Sequence, residues 1–505
     1  MLLDISPNHL KIVQDILRKY LSAYEVWAFG SRAKWLAKEY SDLDLCVISQ
    51  YPISFNILGL LEEAFNDSDL PYKVDIVDWS TTSASFREII KKDKVVVQKI
   101  QVMNGEWKVL ALENCLDALI DYRGKTPEKT KFGIPLITAK IIKGGRIEKP
   151  TEFIAKNNYD SWMRRGLPKA GDVVLTVEAP LGEVAQLGAE KIALAQRVVT
   201  LRGKSGLLDN TFLLYLLQTD EIQEKLKARA TGTTVLGIKQ SELRKVLLNI
   251  PPFEFQVNAA AILKNIDDRI TLLRETNKTL EAIAQALFKS WFIDFDPVRA
   301  KMENKIPEGM DEETAALFPD SLEESELGMI PKGWNCVKFG DFVEPKKGQS
   351  ITRKTITEGS IPVIAGGLTP AYYHNKSNVT APAITVSASG ANAGFVQIHH
   401  NDIWASDCSY INSKITKFVY ANFVFLKLKQ SEITNMQQGA AQPHIYPSDI
   451  KRLDVKKAPD ILYEQYEKIV IKIFLSIATN KKQAQTLANL RDTLLPRLIS
   501  GQIRV

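Results

Sequence analysis

The strongest constraint on this 505-residue chain is an internal duplication. Gly105-Glu106-Trp107-Lys108-Val109 recurs as Lys332-Gly333-Trp334-Asn335-Cys336-Val337, with the tryptophans 227 positions apart. Farther on, Thr176, Val177 and Ala179 match Thr385, Val386 and Ala388 at an offset of 209. Gly232, Ile238, Ser241 and Pro252 then match Gly439, Ile445, Ser448 and Pro459 at 207. An offset that shrinks and then holds indicates two copies with insertions in one. Two copies at this period make a tandem domain pair, because a solenoid needs more and shorter repeats.

Each copy ends in a long helix. Leu263, Ile266, Ile270, Leu273, Asn277, Leu280, Ala284, Leu287 and Trp291 alternate steps of three and four, a heptad seam with one polar member. Adding 207 gives Val470, Ile473, Ile477, Asn480, Ala484, Leu487, Arg491, Leu494 and Leu498. About 36 helical residues rise roughly 54 Å, more than one small domain can cover. The matched seams therefore predict that the two helices pack on each other, with asparagine fixing the register. Between the helices the copies read as β-rich: GDVVLTV and PAITVSA are short apolar runs bounded by turn residues. The acidic, proline-containing stretch 301–330 reads as a loop.

Charge follows this partition. Residues 1–103 carry 12 basic and 14 acidic side chains, and 301–330 carry 2 and 9. With +6 overall, the two repeat blocks share +15, the footprint of a nucleic-acid binder. No run of 18 apolar residues suggests a membrane span. Cys46, Cys115, Cys336 and Cys408 are far apart with no CxxC pair, which predicts buried thiols in a cytoplasmic protein and no zinc site.

TGTTVLGIKQSELRKVLLNIPP, ALFKSWFIDFDPVRAK, IPKGWNCVKFGDFV, ASGANAGFV with WASDCS, GAAQPHIYPSDIKRL and LRDTLLPRLISGQIRV resemble the specificity subunit of type I restriction-modification systems. The resemblance runs through residues 104–505. It implies two target recognition domains, each reading half of a split site in double-stranded DNA, and two helices packed antiparallel as the spacer. It also implies docking of two methyltransferase subunits and two restriction subunits. The expected domains are recognition domain 1 (104–252), a spacer helix (253–300), an acidic linker (301–330), recognition domain 2 (331–459) and a second spacer helix (460–505). Arg123, Lys125, Lys140 and Arg146 are candidate DNA contacts in the first copy.

Catalytic signatures are missing from this region. Leu119 and Val198 stand where a phosphate loop ending in Gly124-Lys125-Thr126 or Gly203-Lys204-Ser205 needs glycine. Ile250-Pro251-Pro252-Phe253 imitates an adenine methyltransferase tetrapeptide, but isoleucine replaces its Asn or Asp. The expectation is that 104–505 binds DNA without catalysing a reaction or holding a cofactor.

Residues 1–103 are different. Ser6-Pro7 starts a helix with Leu10, Val13, Ile16, Leu17 and Tyr20 on one face. The run Glu25–Phe29 leads to Gly30-Ser31, and Asp42 and Asp44 follow in Ser41-Asp42-Leu43-Asp44-Leu45. On a strand the two aspartates share a face. Paired carboxylates repel without a cation, which points to Mg²⁺ with a nucleotide's phosphates. Gly30 and Ser31 would offer backbone N–H groups to those phosphates. Asp75, on a later strand, completes a two-metal set. GSRAKWLAKEYSDLDLCV with VDIVD resembles the minimal nucleotidyltransferase domain of the polymerase β superfamily. That resemblance implies metal binding by Asp42, Asp44 and Asp75, with Asp75 also activating the attacking hydroxyl. Trp35 departs from the glycine of many members.

The fold class expected is α+β multidomain: a nucleotidyltransferase-like α/β domain, then two mixed, β-rich recognition domains alternating with two long helices in an antiparallel coiled coil. Two roles fit the N-terminal domain: transfer of NMP from an NTP to a protein hydroxyl, or a silent docking or nucleotide-sensing module. A DNA-binding scaffold outside restriction-modification is the alternative for the rest.

Overall fold

The computed structural model describes residues 3–505 apart from 22–23, 39, 50–52, 54, 100–106, 123, 125, 233–234 and 438–443. The chain divides into two compact units, residues 1–265 with 491–505, and residues 266–490.

The N-terminal domain opens with helix α1 (Pro7–Leu21), whose first turn is closed by Ser6 Oγ accepting from His9 N. Strand β1 (Glu25–Phe29) runs directly into the short helix α2 (Gly30–Ala33). Then come β2 (Leu43–Ile48), α3 (Phe55–Asn66), β3 (Val74–Asp78), α4 (Ala84–Asp93) and β4 (Val95–Gln98). The sheet order is β3-β2-β1-β4, with β2 and β3 parallel and the other pairs antiparallel. Val13, Leu17 and Leu21 of α1 join Val26, Ala28, Leu43 and Leu45 of the sheet in one core.

The duplication is visible strand by strand. Val173–Val177 lies between Leu181–Gln186 and Val198–Gly203, with Leu116–Asp121 at the edge. In the second copy Ala383–Ser387 lies between Val396–His399 and Cys408–Asn412, with Lys346–Lys347 at the edge. Both central strands, the two apolar runs of the sequence, are buried along their whole length. A three-stranded sheet also repeats: Ile134–Ile137 pairs antiparallel with Phe153–Ile154 and parallel with Ala193–Leu194. Ile361–Ile364 does the same with Tyr372–His374 and Trp404–Ala405. Ile-Pro-Leu-Ile at 134 and Ile-Pro-Val-Ile at 361 are thus equivalent, at the offset of the two tryptophans. The insertions in the first copy therefore fall after that strand.

The central helix runs Phe253–Lys289 and continues as a π-helical turn, Ser290–Asp294. It ends where Phe295 adopts a left-handed φ of 60°. The second long helix runs Asp460–Ile499. Within residues 266–490 they pack antiparallel: Ile270 and Leu273 meet Ala484, and the buried Tyr466 hydroxyl donates to the Ala284 carbonyl at 2.8 Å. Asn480 Nδ2 donates to Asn277 Oδ1 at 2.9 Å, and Asn277 Nδ2 to the Ile477 carbonyl at 3.4 Å. The two seam asparagines thus pair directly, and Asn277 passes its own amide to the facing backbone. In the other unit, Leu498 and Ile499 pack with Phe255, Ala259 and Leu263.

The stretch expected to be a loop, 301–330, is structured. Asp311 accepts from Thr314 N at 2.7 Å and caps the helix Glu312–Ala316, and Leu322–Ser325 pairs with Gly328–Pro331. Phe318 and Ile330 are buried with Trp291 and Trp334. Its acids face solvent while a few apolar residues anchor it, a pattern that net charge hides. Cys46, Cys115 and Cys408 are buried and Cys336 is half-buried, all as free thiols. Burial pushes Cys46 and Cys408 up to about 12 and Cys115 to about 11. No described helix is long and apolar enough to cross a membrane.

Candidate functional site

The N-terminal acids converge at one edge of the sheet. Asp44 on β2 is the register partner of Asp75 on parallel β3 and of Phe29 on β1. Directly paired residues of adjacent strands share a face, so the two carboxylates stand side by side. Asp42 differs from expectation: β2 begins at Leu43, and Asp42 lies exposed just before it. It remains close enough to be felt. Burial, then the charge of Asp75, then that of Asp42, push the Asp44 carboxyl above its usual range.

Gly30 explains the strand-to-helix turn. Its φ is +78°, and a side-chain carbon there would run into the Asp44 carboxylate. Backbone and acid can meet this closely only at glycine. Ser31 follows in α2, half-buried beside that turn. Arg32, next in the motif, is structural. Its guanidinium donates to the carbonyls of Ser41 and Asp4 at 2.8 and 3.0 Å and lies 3.8 Å from the centre of the Tyr72 ring. Trp35 has φ 58°, a left-handed conformation that favours glycine, and its side chain is 55% exposed.

The second acid of VDIVD has a different task. Asp78 accepts from Ser49 Oγ, Ile53 N, Ser80 N and Ser80 Oγ at 2.5, 2.6, 2.9 and 2.9 Å. Burial alone would raise its carboxyl, but these four donors hold it below the usual range. Asp78 is a loop-binding residue, and Asp75 on the opposite face of the strand is the one turned to the cluster. Its present partner is Lys73, whose ammonium lies 2.5 Å from Asp75 Oδ1. The hydrogen bond and charge of Asp75 raise Lys73 above the ordinary lysine value, with Asp42 and Glu62 adding to it.

Among the described residues no three His, Cys, Asp or Glu side chains stand close enough to enclose an ion as they are. The donor set nevertheless fits a hard divalent cation: three carboxylates of which one is electrostatically stressed, a glycine cradle that leaves Asp44 uncovered, and a lysine as the nearest positive charge.

The DNA candidates are less concentrated. Lys140 is 2.5 Å from Glu152, which also holds Lys129 at 2.9 Å. These two lysines and Arg197, which is 3.6 Å from Glu178, line a cleft of about 330 Å³. Arg146 lies half-buried in the two-residue strand Arg146–Ile147, away from that lining. Arg123 and Lys125 lie outside the described residues. Sequence reasoning missed Lys129, Glu152 and Arg197, which only the sheet brings together.

Residues 104–282 and 331–487 match the family described as "Type I restriction modification DNA specificity domain", and the chain belongs to that family. Residues 11–101 match "Polymerase beta, Nucleotidyltransferase", so a nucleotidyltransferase domain precedes the duplicated region. Among relatives, the type I restriction enzyme MjaIX specificity subunit of Methanocaldococcus jannaschii is 29% identical over 76% of this chain and 90% of its own length. A "Probable protein adenylyltransferase MntA" of Haemophilus influenzae is 55% identical over 19% of this chain and 85% of its own. The crystal structure of a type I restriction-modification S subunit from M. genitalium shares the fold, with 19% identity and a TM-score of 0.52, over 79% of this chain and 98% of that one.

Proposed function

We propose that residues 104–505 read a bipartite site in double-stranded DNA for a type I restriction-modification complex, docking two methyltransferase and two restriction subunits. Recognition domains over 104–252 and 331–459 take one half-site each, and the helices over 253–300 and 460–505 set the gap. The observation that carries this reading is the pair of topologically identical copies whose terminal helices interlock through Asn277 and Asn480. Module separation fixed by a rigid element sets half-site spacing. Affinity comes from phosphate contacts, with Lys129, Lys140, Arg146 and Arg197 as first-copy candidates together with Arg123 and Lys125, and specificity from base edges. Methylation mapping of the assembled complex tests it. Swapping 104–250 should change one half of the recognised site, and one heptad added to either helix should change only the gap. A complex that modifies no bipartite site would refute the reading.

The N-terminal domain, on this proposal, transfers a nucleoside monophosphate from an NTP to a protein hydroxyl: the hydroxyl oxygen bonds the α-phosphorus, the α–β phosphoanhydride breaks and pyrophosphate leaves. Asp42, Asp44 and Asp75 would hold Mg²⁺, which would neutralise the phosphates and the developing charge. Gly30 and Ser31 orient the phosphates, Asp44 and Asp42 fix the metal side, and Asp75 takes the proton of the attacking hydroxyl. Lys73 must release Asp75 for that step. Incubation with labelled ATP and Mg²⁺, beside an Asp42→Ala/Asp44→Ala variant, tests it. Absence of label on every partner would leave the domain a docking or nucleotide-sensing module.

A further inference from the structure

A cavity of about 400 Å³ in the second unit has a composition that neither proposed function uses. Its walls come from the strand Val396–His399, the helix Val419–Leu428 and both long helices, which contribute Glu281 on one side and Phe474, Ile477 and Lys481 on the other. Most of the lining is apolar or aromatic, including Leu368, Phe395 and Phe474. Two lysines stand in it. Lys427 Nζ donates to the Val396 carbonyl at 3.3 Å and to Gln430 Oε1 at 3.1 Å, and sits 4.6 Å from the centre of the Phe395 ring. Neither Lys427 nor Lys481 makes an ion pair among the described residues, whereas Lys417, Lys429 and Lys451 nearby each do. Glu281, the acid of the lining, accepts at Oε1 from Gln285 Nε2 at 3.3 Å.

We propose that this cavity binds a nucleotide, its phosphate on Lys427 and Lys481 and its ring body against Leu368 and Phe395. Two ammonium groups without an ion pair, set against one acid, Glu281, on the wall of a half-open cavity favour an anion. The apolar side chains of Leu368, Pro362, Pro370 and Phe395 suit a base, which packs on such a wall without regard to its identity. The volume lies within the range of small-ligand sites, roughly 300–1,000 Å³. Burial, with Lys481 adding its charge, draws Lys427 below the ordinary lysine value while Glu281 opposes it, and an arriving phosphate would reverse that. Ile477 lines the cavity, and its carbonyl receives the Asn277 amide, so an occupant would brace the recognition domain against the register-setting pair.

The test uses the full chain carrying Asp42→Ala/Asp44→Ala in chelator, which removes the N-terminal domain as a nucleotide site. Fluorescent AMP should bind saturably, and inorganic phosphate should compete. Lys481→Met, an exposed change that leaves the core intact, should weaken binding at least about tenfold, the loss expected for one charge-assisted hydrogen bond. Glu281→Gln should tighten it by up to about fivefold. If a DNA duplex displaces AMP from the wild type, the phosphate is that of the DNA backbone; if only free phosphate does, the ligand is a free nucleotide. No saturable binding, or binding that both substitutions leave unchanged, overturns the proposal.

Discussion

Two charge clusters in the first unit share a layout and differ in completeness. In the N-terminal domain Asp44 is flanked by Asp75 and Asp42, and its carboxyl is driven up. In the first copy Glu152 is flanked by Lys140 and Lys129, whose hydrogen bonds hold its carboxyl below the usual range. The second cluster is closed in contact, because its one carboxylate touches both ammonium groups at 2.9 and 2.5 Å, with a single positive charge left over. The first is open, with more negative charge than Lys73 can answer. A closed cluster contributes to its own fold, whereas an open one is stressed until something arrives. On the proposed functions, the open cluster awaits a cation, and the lysines beside Glu152 would have to leave it to reach DNA.

The largest expected effect comes from relieving the open cluster. Asp44→Asn removes the stressed charge, so nucleotidyl transfer should fall at least about a thousandfold, the several kcal/mol a bound ion supplies. Thermal stability without divalent ions should rise at the same time. A merely structural Asp44 would lose stability instead, which separates the two roles. The pH dependence follows from the direction of the shift. A folded-state value raised above the unfolded one means that protonation favours the fold, so acid relieves the cluster and rising pH through the folded value removes that gain. Chemical denaturation should therefore show an Asp44 contribution that firms the N-terminal domain as pH falls toward the carboxylate range, against the opposite pull of Asp78, whose lowered value costs stability in acid. Saturating Mg²⁺ should flatten that contribution, and Asp44→Asn should lack it.

The comparison also marks what sequence could show. Periodicity exposes whatever repeats: the seams over 263–291 and 470–498 hold, including the asparagine pair, because heptad spacing survives without knowledge of the fold. The placement of Gly30 beside Asp44 and of Asp44 beside Asp75 is legible, because it needs a left-handed backbone at one position and matched positions on two strands at the others. Asp78 was not distinguishable from Asp75 by composition, and only its four hydrogen bonds assign it to the loop. Lys140 failed to show its partner because Glu152 is twelve residues away across a turn. The acidic stretch 301–330 hides its structure for a related reason, since Phe318 and Ile330 find their core only in three dimensions.

A third polar cluster, Asn277 with Asn480, is closed without any charge and should respond on an intermediate scale. Asn480→Ala leaves the Asn277 carbonyl oxygen half-buried and unpaired, at a cost of about 1–3 kcal/mol. Replacing both asparagines with leucine should recover or exceed the lost stability, since an apolar pair needs no partner. It should also loosen register, read as a broader range of tolerated gaps in methylation mapping. An unchanged gap in the double variant would assign register to the apolar seam and to Tyr466.

The smallest effect comes from opening the closed cluster. Glu152→Gln frees Lys129 and Lys140 on the wall of the first-copy cleft at little cost to the fold, because exposed ion pairs contribute about 0–1 kcal/mol. If that wall faces the phosphate backbone, two additional cations should steepen the dependence of DNA affinity on salt by about one to two in log–log slope. Affinity at low salt should rise severalfold, equally for specific and nonspecific duplexes, since phosphate contacts carry no sequence information. Titrations across a salt series measure both quantities. An unchanged slope would mean that Glu152 holds its lysines away from DNA for good, making the cluster purely architectural and leaving Arg197 as the cation of that cleft to test next.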